Sequence, residues 1–161
     1  MMKKSFLIAI MLFSVLSPMR AIALDDTFYN EVAGFVYNFP DMVHNASSGK
    51  LCVYGYDQVA LAIEEKYQNT ILFKDDESFS GGFSKERCKV LYISKKAPLK
   101  ITAAANNEKI VSIGIGDYFV ENGGMILVEI GRRSFELTVN HKNLKGFGVK
   151  LDPLAAGLIV N

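Results

Sequence analysis

Two cysteines, Cys52 and Cys88, and two histidines, His44 and His141, carry the side chains with the widest chemical repertoire in this chain. Thiols 36 residues apart support three chemistries: a structural disulfide, an oxidisable staple whose reduction weakens the fold and its surface, or a reactive thiol with a nearby base. A bond closing such a loop is worth roughly 3–4 kcal/mol in the chain-entropy picture. Two cysteines do not complete a zinc site, and the histidines lie far apart in sequence, so no metal and no cofactor is expected. His141 follows Asn140 at a helix start and reads as a surface residue. No G-x-S-x-G, P-loop or H-E-x-x-H pattern is present. Gly114-Ile115-Gly116 lacks the third glycine of a phosphate-cradling loop, and Asp117 beside it would repel an anion. The expectation is a protein that is not an enzyme.

The chain has 161 residues, half of them hydrophobic, with 18 Lys+Arg against 17 Asp+Glu. That length suits one domain, and the charge balance lacks the basic excess of a nucleic-acid binder. Met1-Met2-Lys3-Lys4 is a basic start, Ser5 to Leu16 is almost wholly apolar, and Ala21-Ile22-Ala23 offers small residues for a signal peptidase. The apolar run is shorter than the roughly 20 residues of a bilayer span. A signal peptide over 1–23, cleaved after Ala23, is therefore expected, with the domain over 24–161 and no direct membrane insertion after cleavage. Loss of Lys3, Lys4 and Arg20 leaves 15 basic against 17 acidic residues. Export also places both cysteines in an oxidising compartment.

The elements that must position the cysteines follow from pattern and punctuation. Phe28, Val32, Phe35, Val36 and Phe39 recur at helical spacing behind Asp25-Asp26-Thr27, and Pro40 ends the helix. Leu51 to Tyr54 reads as a buried strand closed by Gly55, and Asp57 can cap a helix with Val59, Ala60, Ile63 and Tyr67 inward. Thr70 to Phe73 is a second strand, Lys74 to Arg87 a loop around Gly81-Gly82, and Cys88 to Ile93 a third strand. A short, poorly patterned helix from Ser94 is interrupted by Pro98, and Ile110 to Ile113 is a fourth strand. Tyr118 to Asn122 makes a helical turn ended by Gly123-Gly124, and Met125 to Ile130 and Ser134 to Val139 form a hairpin around Gly131-Arg132-Arg133. Asn140 caps a short helix bearing Leu144, and Asp152-Pro153 opens an apolar closing helix over 154–160. Alternating strands and helices predict an α/β single-domain sandwich: a mixed, mainly parallel central sheet flanked by helices, with an antiparallel hairpin near the C-terminus. Both cysteines sit at or just before a strand start, so a first-next-to-third strand order, as in flavodoxin-like sheets, would bring them together.

The chain resembles the YfiR family of periplasmic regulators. The resemblance runs in order through Phe35-Val36-Tyr37-Asn38-Phe39, Leu51-Cys52-Val53-Tyr54-Gly55, Cys88-Lys89-Val90-Leu91-Tyr92-Ile93 and Gly123-Gly124-Met125-Ile126. It continues through the hairpin, Phe135, Asn140 and Gly148-Val149-Lys150-Leu151. Two departures are visible: one cysteine pair where some members carry two, and a polar stretch near residues 40–48 after Phe39-Pro40. The resemblance implies a small α/β protein, commonly a homodimer, that binds the periplasmic sensor domain of an inner-membrane diguanylate cyclase and represses it. Release by redox or envelope stress would raise cyclic di-GMP and favour biofilm. It also implies that Cys52 and Cys88 occupy the family's disulfide positions.

Such a module acts through its surface. Phe135, Leu137 and Val139 share one strand face and are expected inward, with Glu136 and Thr138 outward. Glu136, Asn140, Lys145 and Phe147, with the closing helix, are the expected partner-binding rim. The alternative is a periplasmic small-ligand-binding protein using the cleft at the strand C-terminal ends, near Gly55, Asp57, Gly114 and Asp117.

Overall fold

The structure is a computed structural model that describes residues 26–46, 48–131, 134–152 and 159–160. The expected signal segment, Arg132-Arg133 and 153–158 lie outside them. Helix α1 (Asp26–Asn38) buries Phe28, Val32, Ala33 and Val36, the stripe that its 3.6-residue periodicity dictates. It ends in a 3-10 turn, Phe39–Met42, with Pro40 in its first turn. A short strand β1 (Val43–His44) follows, then β2 (Lys50–Tyr54), α2 (Gln58–Lys66) and β3 (Ile71–Phe73). Next come α3 (Asp76–Gly82), β4 (Cys88–Ile93), α4 (Leu99–Asn107) and β5 (Val111–Gly114). The hairpin is β6 (Ile126–Ile130) and β7 (Phe135–Val139), and the end of the chain supplies α5 (His141–Gly146), β8 (Lys150–Leu151) and β9 (Ile159–Val160).

Seven strands form the main sheet in the order β3-β2-β4-β5-β6-β7-β9. All neighbours are parallel except the β6–β7 hairpin. The first five stand in the flavodoxin-like doubly wound order, so the strand bearing Cys52 does lie beside the strand bearing Cys88. Strand alternation divides the core in two. Leu51, Val53, Val90, Tyr92, Val111, Ile113, Ile126, Val128 and Leu137 face α1 and α2. Cys52, Tyr54, Cys88, Leu91 and Ile93 face α3 and α4 with Phe73, Phe79, Ile101 and Ala105. The α/β sandwich read from the sequence is thus the observed architecture. A separate two-stranded sheet, β1 against β8, ties the chain after the hairpin back to the end of α1, with Asp152 N–H donating to the Met42 carbonyl.

Three elements differ from expectation. The segment read as a loop contains α3, nucleated by a capping box: the Asp75 carboxylate accepts from the Ser78 amide, and the Ser78 hydroxyl receives the Asp75 amide. Gly81-Gly82 are its last turn, not a break before it. The poorly patterned helix after Ser94 is instead α4, a nine-residue helix with Pro98 at its N-cap, a position where a missing N–H costs nothing. Of the expected closing helix, 153–158 fall outside the described residues, and Ile159–Val160 form a strand beside β7. Two β-branched residues against an open strand edge gain ladder hydrogen bonds that a helix end cannot offer them.

The first turn of α3 ties β2 to α4 on one side of the sheet. Tyr54 donates from its hydroxyl to Asp76 Oδ1 at 2.7 Å, and Lys100 of α4 pairs with the other oxygen of the same carboxylate. Burial first, then the Asp76 carboxylate, pushes the Tyr54 phenol up to about 12. Lys100 and then Tyr54 hold Asp76 below the ordinary carboxylate value of 3.8, and the Ser78 amide and hydroxyl do the same for Asp75. A depressed folded pKa means stability that is whole above the unfolded value and lost as pH falls through the folded one. The thermal midpoint is therefore expected to drop as pH falls below about 4, and Asp75→Asn with Asp76→Asn to flatten that drop, as a melting series from pH 6 to pH 2 will show.

Candidate functional site

Cys52 and Cys88 form a disulfide with a Cα–Cα distance of 5.5 Å, and both residues are 0% exposed. The register explains how. Lys50 pairs with Cys88 but Leu51 pairs with Val90, so Lys89 is an extra residue on β4, a bulge. Without it, alternation would leave Cys88 on the opposite face from Leu91; with it, Cys88 joins Cys52 and Leu91 against α3 and α4. The approach is tight enough to require glycine at 49, where a Cβ would lie 2.5 Å from the Arg87 carbonyl carbon. Lys50 N–H then donates to the Arg87 carbonyl at 2.8 Å. Among the described residues there is no free cysteine and no cluster suited to a metal ion.

The crevice between β2 and β4, where the doubly wound sheet reverses direction, is filled by the chain itself. Asp57 is the N-cap of α2, and its Oδ1 accepts from the Ala60 amide at 2.9 Å. The Tyr92 hydroxyl donates to Asp57 Oδ2 at 2.9 Å, and the Lys95 amide to the same oxygen at 3.2 Å. Burial, then the Asp57 charge, raises the Tyr92 phenol well above its ordinary value. Gly55, at φ +84, closes the crevice from the other side, with Ser94 Oγ 2.2 Å from where a Cβ would stand. A carboxylate thus occupies the place an anionic ligand takes at a helix N-terminus. Gly114 is buried behind the Phe119 ring, 2.7 Å from its would-be Cβ. Asp117 lines an open depression. This space of about 400 Å³ runs along the upper edge of the sheet, at the C-terminal ends of β5 and β6, with Lys95, Ile115, Leu127 and Glu129 around it. Lys95 links two of the four cleft candidates: its amide donates to Asp57, and it lines the depression together with Asp117.

The rim residues also divide. Leu137 and Val139 are buried and Phe135 half-buried, so the expected inward face of β7 is the observed one. Glu136 is exposed on the upper edge, directly opposite Glu129, whose carboxylate takes the Thr138 hydroxyl. Asn140 lies at the other end of β7, about 13 Å away along the strand. Its side chain caps α5 by accepting from the Asn143 amide at 3.1 Å. Lys145 is exposed near the end of α5, while Phe147 is half-buried against the core and lines a lower-edge depression of about 440 Å³ with Asn45, Lys85 and Lys109. One residue departs from its sequence reading as the start of a helical turn. Tyr118, one position beyond Asp117, is 68% exposed in the left-handed region at φ +67.

The chain is a doubly wound α/β domain stapled by one buried disulfide, with the crevice at its topological switch point filled by its own Asp57. The family model for YfiR/HmsC-like proteins matches residues 25–154, and the chain belongs to that family. Membership points to a regulatory, non-catalytic protein, a periplasmic regulator of a diguanylate cyclase. No curated protein matches the chain. No helix among the described residues is long and apolar enough to cross a membrane.

Proposed function

We propose that this protein is a periplasmic repressor of an inner-membrane diguanylate cyclase. Exported and cleaved after Ala23, residues 24–161 form one domain that binds the cyclase's periplasmic sensor domain as a homodimer. It holds cyclic di-GMP, and with it biofilm formation, down. The observation that carries this reading is the family match across residues 25–154. The chemistry inside the chain supports it: Asp57 is committed to structure, and the sulfurs are buried and joined to each other. Reduction of that bond would loosen the fold, so the repressor's grip depends on oxidation.

The docking surface in this reading is the upper edge around Glu136, continuous with Glu129 and Asp117. Glu136→Lys replaces a like-charge cross-strand pair with an opposite one, so the fold is expected to gain about 0.2–1 kcal/mol. Affinity for the cyclase's periplasmic domain is expected to fall roughly tenfold, mostly through slower association at low salt. Calorimetric titration alongside melting curves checks both. If the folded Glu136→Lys protein binds as the parent does, the partner sits elsewhere.

A further inference from the structure

The hairpin rises higher than the strand beside it. The bonds from Gly131 N–H to the Ser134 carbonyl and from Asn140 N–H to the Met125 carbonyl fix the alternation along β6. Met125, Leu127, Glu129 and Gly131 turn their backbone groups to β7, so Ile126, Val128 and Ile130 turn theirs to β5. β5 stops at Gly114, and its pairing with Leu127 is the last rung of that ladder. The Val128 carbonyl and both polar backbone groups of Ile130 therefore face a side with no strand beside them. Among the described residues, no turn or loop bond reaches them either. Open edges of this kind are usually blunted by a lysine, a proline or a bulge. β6 carries no lysine and no proline, and the carboxylate of Glu129 is held by the Thr138 hydroxyl.

The place that β5 leaves empty is the upper-edge depression. Val128 and Ile130 line it with Ile115 at the end of β5, Lys95 after β4 and Tyr29 of α1. Val128 to Ile130 stand above the end of β5, so the slot takes about three residues of extended chain. Its charges are of both signs, Lys95 against Asp117 and Glu129, which suits no single small ion. What the slot lacks is a partner for main-chain donors and acceptors in the plane of the sheet, and an extended main chain supplies both at that spacing. We propose that an extended segment of the cyclase's periplasmic domain adds to β6 here, taking the place of β5 above Gly114. The slot is continuous with the surface around Glu136, which stands directly opposite Glu129. The proposal thus rests on the reading above and names the form in which the partner is held.

The test is amide hydrogen exchange, read residue by residue by NMR on the full mature chain. It is run alone and with the purified periplasmic domain of the cyclase whose deletion abolishes the cyclic di-GMP rise in the repressor mutant. In the free chain the Ile130 amide is expected to exchange fast, while those of Leu127 and Glu129, bonded to β7, exchange slowly. In the complex the Ile130 amide is expected to slow at least about tenfold. Ile130→Pro removes that N–H and spares the β7 ladder, so it is expected to fold and to bind at least about tenfold more weakly. Ile130→Val, which keeps the N–H, is expected to bind as the parent does. Should Ile130→Pro fail to fold, the exchange result decides alone. Unchanged binding by folded Ile130→Pro overturns the proposal and leaves the repressor reading standing. So does an Ile130 amide that is already slow in the free chain, slows only as the chain's own concentration rises, or is unchanged in a formed complex. A parent chain that does not bind the domain at all overturns both.

Discussion

Replacing Cys52 and Cys88 together with alanine is expected to cost about 3–4 kcal/mol from loop entropy alone, and to lower the melting temperature by roughly 10 °C. Alanine is the right replacement because both positions are wholly buried among Tyr54, Phe73, Phe79, Leu91 and Ile93, where a serine hydroxyl would add its own desolvation cost. The burial also shapes the kinetics of reduction. A thiolate must reach a sulfur to attack it, so reduction of the native protein is expected to wait for local opening of the 83–88 segment and the edge of β2. Thiol release under dithiothreitol should be slow in buffer, accelerate steeply in mild denaturant, and coincide with loss of cyclase binding. Fast reduction with an unchanged melting curve would show that the bond contributes neither stability nor control.

Asp57→Ala is expected to cost about 2–4 kcal/mol, combining a lost helix cap of about 1 kcal/mol with a buried Tyr92 hydroxyl left without its acceptor, about 1–3 kcal/mol. The pair makes this separable. Tyr92→Phe in the Asp57→Ala background removes the orphaned hydroxyl and is expected to restore stability, whereas in the parent it destabilises. Denaturant melts of the four proteins give the coupling energy. A small coupling would mean that Asp57 is not the structural filler of the crevice, and would reopen that place to a ligand.

Much of the fold was legible because the signals were local. The α1 stripe, the cap at Asp57, the hairpin around Gly131 and the Asn140 cap of α5 each depend on residues within a turn or two of one another. The neighbouring of β2 and β4 followed from alternation of elements and from two cysteines at matching strand positions. The Lys89 bulge that puts both sulfurs on one face was not legible, since an extra residue in a ladder is defined by the partner strand. The capping box Asp75-x-x-Ser78 was present in the sequence, but the glycines after it outweighed it. In the rim, type and exposure of Glu136 were readable, whereas the separation of Glu136 from Asn140 depends on which end of β7 each occupies. Tyr118 carries no compositional signal, because its strain exists only in the folded backbone.

The central claim is that an oxidised, surface-acting module restrains a cyclase from outside the cytoplasm. Cyclic di-GMP should be measured in cells lacking this gene, in cells also lacking the candidate cyclase, and in the deletion strain complemented with the parent chain or the double alanine variant. The account predicts a rise on deletion that needs the cyclase, full reversal by the parent chain and poor reversal by the variant. An unchanged cyclic di-GMP level on deletion would contradict it.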